Sequence, residues 1–164
     1  MNNLPPKPPS PDHDLDADLV LEFLAHYHAL EQALVRAGFT RPGRRPGVTR
    51  PDWEQFTRYI AGKFNPDSSP ELAGAVYYLL GQPDVRELRR ERLQAACPGE
   101  LSSPVSDIFW LSESIREIRN RLLLWINFAE KSWMDEASVT AALFIVQAWS
   151  YLDPKVEGML PHVQ

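Results

Sequence analysis

Arg119 stands inside an apolar stripe. At about 100° per residue, Ile108, Leu111, Ile115, Ile118, Leu122 and Ile126 share one helix face, and Arg119 falls between Ile115 and Leu122. A charged side chain there must be paired or open to a polar pocket. It either snorkels or pairs with a carboxylate at the core edge, or it faces a ligand. A second group with chemical potential is the stretch Thr40 to Pro51, which carries Arg41, Arg44, Arg45 and Arg50 with no acidic residue. It reads as a basic loop, either solvated or open to phosphate. Of the four histidines, His13 and His162 fall in tails. His26 and His28 are two apart on one helix, so they point to different sides and make a poor metal pair. His28 and Glu31 are three apart and share a face.

Other chemistries find no support in the sequence. There is no glycine-rich phosphate loop and no nucleophile elbow. The acidic residues are scattered, without the spacing of a calcium loop. A single cysteine, Cys97, excludes an intrachain disulfide and any zinc site built on several thiolates. No metal or cofactor is expected. The net charge of −5 argues against a surface that binds nucleic acid as a whole, while a local basic patch is compatible with it. No apolar run approaches the ~18 residues that a membrane helix needs, and the N-terminus lacks the order of a secretory signal. The expectation is a soluble, cytoplasmic protein with no membrane partner.

These residues must be positioned by helices. The chain of 164 residues has the length of one ordinary domain, and 44% hydrophobic content can fill a core. Residues 1–14 read as a flexible tail rich in proline and aspartate, disordered and solvated, and 156–164 as a second tail. One helical domain is expected over 15–155. The first helix should run from about Asp16 to Gly38, with Val20, Phe23, Leu24, Tyr27, Leu30, Glu31, Leu34 and Val35 at three- and four-residue spacing. The second should open at Pro51 or Asp52 and run to Phe64, with Trp53, Phe56, Tyr59 and Ile60 on one side. The third follows an N-cap at Ser69 and a proline at the first helical position. A fourth begins at Pro83 and extends to Ala96. The longest runs from Ser103 or Pro104 to about Lys131, and the last from Asp135 to Leu152. No segment alternates with a period of two. The fold class is all-α, a bundle of five or six helices.

The run Leu122-Leu123-Leu124-Trp125-Ile126 covers every side of the long helix. Leu124 lies about 180° from the Ile115 face. Such a helix is central in its own bundle or touches a second chain, and a small bundle favours the second. Leu123, Leu124 and Trp125 are the candidate interface.

Three stretches resemble the HEPN superfamily (higher eukaryotes and prokaryotes nucleotide-binding), specifically its small prokaryotic members. The run Tyr27-His28-Ala29-Leu30-Glu31-Gln32-Ala33-Leu34-Val35-Arg36-Ala37-Gly38-Phe39 is similar to their first helix. Pro51-Asp52-Trp53 with Phe56 resembles their second. Arg119-Asn120-Arg121-Leu122 resembles the "Arg-Asn-x-Leu-x-His" signature of the long penultimate helix, and Leu152-Asp153-Pro154 the end of the last helix. The likeness spans about Asp18 to Lys155. It implies a helical bundle that dimerises through the motif helices. In active members it also implies a metal-independent ribonuclease, in which the arginine steadies the scissile phosphate and the histidine assists proton transfer.

The sequence departs from that pattern where the histidine should stand, at Leu124. Leucine transfers no proton, and losing a positioned acid or base costs ~10²–10⁴-fold. The leading expectation is therefore a catalytically degenerate HEPN-like interaction or regulatory module. The resemblance places it in a prokaryotic defence or toxin–antitoxin assembly, as a homodimer or hetero-complex through the penultimate helix. The alternative is a ribonuclease with a rearranged site made of Arg119, Asn120, His28 and Glu31. A further alternative is an RNA-binding module using Arg121 with Arg41, Arg44, Arg45 and Arg50. The resemblance also sets the acidic residue at the Glu31 position near the motif arginine, which implies a simpler use for Glu31 as the buried partner of Arg119, a charge-assisted pair joining two helices.

Overall fold

In a computed structural model of the chain, the described residues are 15–83, 85–87, 90–91, 104–128 and 135–152. The tails 1–14 and 156–164, Cys97, His13, His162, Ser103 and Asp153-Pro154 lie outside them. Five helices and one small hairpin carry the fold: α1 (Ala17–Arg36), β1 (Thr40–Pro42), β2 (Thr49–Pro51), α2 (Trp53–Ile60), α3 (Pro70–Leu80), α4 (Pro104–Phe128) and α5 (Glu136–Ser150). Residues 83, 85–87 and 90–91 are also helical, within the segment where a helix from Pro83 is expected. The architecture is the expected all-α bundle. Among the described residues, no helix is long and apolar enough to cross a membrane.

α1 is bounded by its own sequence. The Asp16 carboxylate accepts from the Asp18 N–H at 2.9 Å and caps the start. At the far end Gly38 takes φ +92°. Its N–H reaches the Val35 carbonyl and that of Phe39 the Leu34 carbonyl, the paired closure that a left-handed glycine permits. The chain thereby turns sharply from α1 into the hairpin.

That hairpin occupies the segment read as an irregular loop. β1 and β2 pair antiparallel, Thr40 opposite Pro51, Arg41 opposite Arg50 and Pro42 opposite Thr49. Each strand is three residues long, too short to show an alternating pattern, and each ends in a proline, which a strand end tolerates. Gly43 closes the turn against Val48, whose carbonyl accepts its N–H at 2.7 Å. A Cβ at Gly43 would come within 2.9 Å of that same oxygen. Asp52 then joins the hairpin to α2. Its N–H donates to the Phe39 carbonyl at 2.8 Å, and its carboxylate accepts from the Gln55 N–H at 3.1 Å and from Arg41 at 2.9 Å.

α2 ends at Ile60 rather than Phe64, and the next residues form a turn on Ile60's carbonyl. Trp53, Phe56 and Ile60 are buried as expected, whereas Tyr59 is exposed, its ring against Phe39 on one side and under the Lys63 ammonium. α3 starts at the Ser69 cap, whose hydroxyl accepts from the Leu72 N–H, with Pro70 at its first turn. Asp135 caps α5 through the Ser138 N–H at 2.8 Å and accepts from the Tyr78 hydroxyl of α3 at 2.6 Å. α1 and α3 both pack on α5, and α4 crosses α2 and α3.

The core gathers around Trp149, which is fully buried. Phe56, Phe64 and Trp53 surround it with ring centroids 6.0–6.5 Å away, and Tyr27 stacks on Trp53 at 5.4 Å. α4 contributes Ile108, Leu111, Ile115, Ile118 and Leu122, as the stripe predicts. Ile126 is the exception: it is 47% exposed. The stripe read from periodicity therefore outlasts by one turn the face that meets other elements, because helical periodicity continues regardless of where the neighbours stop.

Two substitutions test this account in urea unfolding. Ser69→Ala removes a cap and is expected to cost about 1 kcal/mol. Leu122→Ala leaves a void in the core and should cost about 2–5 kcal/mol. Equal effects would contradict the assignment.

Candidate functional site

Four elements meet around a cavity of about 310 Å³. Glu31 enters from α1. Arg41, Arg50 and Pro51 come from the hairpin, and Trp53, Glu54 and Thr57 from α2. One stripe of α4 supplies Phe109, Ser112, Glu113, Arg116 and Arg119. The lining thus carries four arginines and three glutamates, a small positive balance on a chain whose net charge is −5.

The arginines are not equivalent. Arg41 is held by Asp52 at 2.9 Å, with Glu54 at 3.7 Å. The hydrogen bond from the Gln55 N–H at the helix start, joined by Arg41, keeps the Asp52 carboxyl below the usual aspartate range. Arg116 is held by Glu113 at 3.0 Å. Arg119 and Glu31 approach only to 3.8 Å, an ion pair beyond hydrogen-bond distance. The Arg50 side chain makes no ion pair among the described residues.

Arg119 lies over the Tyr27 ring, its guanidinium carbon 5.2 Å from the centroid, where the ring face attracts a cation. Its Nε is buried and has no hydrogen-bond partner among the described residues, and the same holds for the Tyr27 hydroxyl. Buried donors without partners are uncommon and call for an explanation, a bound ion or water among them. Burial, reinforced by the nearby Glu31 charge and opposed by Arg119, pushes the Tyr27 hydroxyl up to about 12.

The structure brings together some of the sequence candidates and separates others. Arg119, Glu31, Arg41 and Arg50 share the cavity. Arg44 and Arg45 are exposed in the hairpin turn and do not line it. His28 is exposed and outside the lining, and His26 faces α5, 3.5 Å from Gln147. Asn120 is exposed, and Arg121 pairs with Glu117 at 2.9 Å. At the end of α4, Leu124 is 45% exposed and Leu123 half-buried, while the Trp125 side chain lies outside the description. Among the described residues, no group of three His, Cys, Asp or Glu is arranged to hold a metal ion.

Arg116, Glu113 and Ser112 were missed as site residues. The signal is present in the sequence: Ser112, Arg116 and Arg119 recur every three or four residues, a polar stripe beside the apolar one. Glu54 was missed because nothing local distinguishes it from any exposed helix glutamate.

The buried tyrosine gives a test with a definite sign. In the unfolded chain a tyrosine ionises near pH 10, and in the fold Tyr27 stays neutral to about 12. Its contribution to stability is therefore complete below pH 10 and is lost as pH rises through that interval. Tyr27→Phe should flatten this alkaline loss and remove the last phenolate to appear in an ultraviolet titration. At neutral pH the same change should be neutral or stabilising, since it deletes an unpartnered hydroxyl. Compared with known proteins, the chain matches no family model, no curated protein and no solved structure.

Proposed function

We propose that the chain is a binding module without catalytic chemistry, and that it holds an anionic group in the arginine-lined cavity. The observation that carries this reading is Arg119. Its buried Nε lacks a partner, its one carboxylate neighbour stands back at 3.8 Å, and Arg50 adds an uncompensated charge to the same cavity. Arginine offers a planar fork of donors that suits phosphate and carboxylate groups. The rearranged ribonuclease is the weaker reading. It requires His28 beside Arg119, and His28 does not line the cavity. The RNA-binding reading loses Arg44, Arg45 and Arg121 from the cavity and keeps Arg41 and Arg50.

Inorganic phosphate is the first probe. At ten times its dissociation constant it should stabilise the fold by about 1.4 kcal/mol, read as a rise in Tm. Arg119→Gln should leave Tm insensitive to phosphate. In parallel, the protein should leave mixed RNA intact in EDTA. An absent phosphate response, or cleavage that disappears in Arg119→Gln, would overturn the proposal.

A second reading concerns assembly. Leu124 and Ile126 are both about half exposed at one end of α4, where the HEPN-like resemblance places a chain contact. We infer that this end of α4 meets another chain. The wider role, in a prokaryotic defence or toxin–antitoxin assembly, rests on that resemblance alone. Leu124→Glu should convert an oligomer, measured by light scattering, into a monomer. A folded monomer both before and after the change would sink this reading.

A further inference from the structure

We infer that the cavity takes a small ligand through one terminal anionic group, phosphate or carboxylate, and does not accept an RNA strand; this rests on the anion-binding reading above. Size is the first argument. At about 310 Å³ the cavity sits at the low end of small-molecule sites, and α1, the hairpin, α2 and α4 line it.

Charge is the second argument. Arg41 and Arg116 are already neutralised by carboxylates of the chain, at 2.9 and 3.0 Å. The spare donors are those of Arg119 and Arg50. Arg50, without an ion pair among the described residues, and Arg119, whose carboxylate neighbour stands at 3.8 Å, together match one anionic group. A polynucleotide binds by neutralising phosphates in succession and releasing their counterions, and here the succession is broken. Glu54 and Glu113 line the same cavity, and each is itself paired, Glu54 with Arg58 at 2.7 Å and Glu113 with Arg116 at 3.0 Å. The phosphates flanking a seated nucleotide would meet these closed pairs, which offer no further cation to neutralise them. The body of a small ligand meets instead Trp53 and Phe109, which give the cavity apolar wall.

Glu31 acquires a role from this arrangement. Its carboxylate is the internal competitor for Arg119. It is near enough to attract the guanidinium and too far to satisfy a donor. An arriving anion takes those donors at the cost of repulsion from Glu31. Removing that charge should therefore tighten binding, whereas a Glu31 that merely orients Arg119 would make its removal weaken binding.

The experiment uses the full-length protein and arginine Nε–H NMR signals, with that of Arg119 assigned by its loss in Arg119→Gln. The probes are phenyl phosphate, benzoate and a short oligouridylate. Phenyl phosphate or benzoate should shift the Arg119 signal, and which of the two does so identifies the anion. Oligouridylate at the same concentration should leave the signal in place. Glu31→Gln should tighten the effective probe about fivefold, the size of one partly exposed like-charge contact. Arg50→Gln should weaken it by a comparable factor. Arg50 is exposed, so this variant carries the test even if Arg119→Gln disturbs folding. Oligouridylate shifting the signal as readily as the small probes would overturn this inference and leave the anion-binding reading standing. Weaker binding in Glu31→Gln would overturn the competitor role. No shift with any probe would overturn both inference and reading.

Discussion

The site depends on one carboxylate. Asp52 caps α2 through the Gln55 N–H, holds Arg41 of the hairpin, and through its own N–H closes on the Phe39 carbonyl just beyond α1. Three elements are thereby fixed at one residue. A two-stranded hairpin of three-residue strands is marginal by itself, so its position against the helices must come from such tethers. Without that junction, Arg41 and Arg50 have no reason to stand opposite the Arg119 stripe of α4. A charged hydrogen-bond acceptor at a helix start is among the stronger polar contacts a protein can make, and here one group serves both the helix and the hairpin.

Arg119 shows how the bundle accommodates a charge at its core edge. Its stem belongs to the apolar stripe between Ile115 and Leu122, both fully buried. Its head is stabilised by the Tyr27 ring on one side and by Glu31 at 3.8 Å on the other. Tyr27 in turn stacks on Trp53, which packs toward Trp149. The chain of rings ties the charge to the centre of the core. A partly buried guanidinium with an unpartnered Nε carries a desolvation cost that these contacts offset only in part.

The sequence is most legible where a single residue fixes a backbone event. Ser69 and Pro70 start α3, Gly38 ends α1, and Asp135 starts α5, each through local hydrogen bonds or φ values that need no tertiary context. The core stripe of α4 is equally readable because 3.6-residue periodicity survives without knowledge of neighbours. The hairpin is not readable in this way. Thr40–Pro42 and Thr49–Pro51 look like loop because their strands are too short for a pattern, and their pairing is decided by closure between Gly43 and Val48 and by Asp52.

What the sequence by itself determined is the list of helices, their caps, and a charged residue forced to seek a polar environment at position 119. What only the tertiary structure decided is which groups supply that environment. Arg50 and Arg116 join Glu31, the one neighbour the sequence reading already names for Arg119, while His28 stays outside. Helical spacing fixes which residues share a face of one helix. It carries no information about which face of the next element arrives opposite, because that depends on how the buried rings of α1, α2 and α5 pack together.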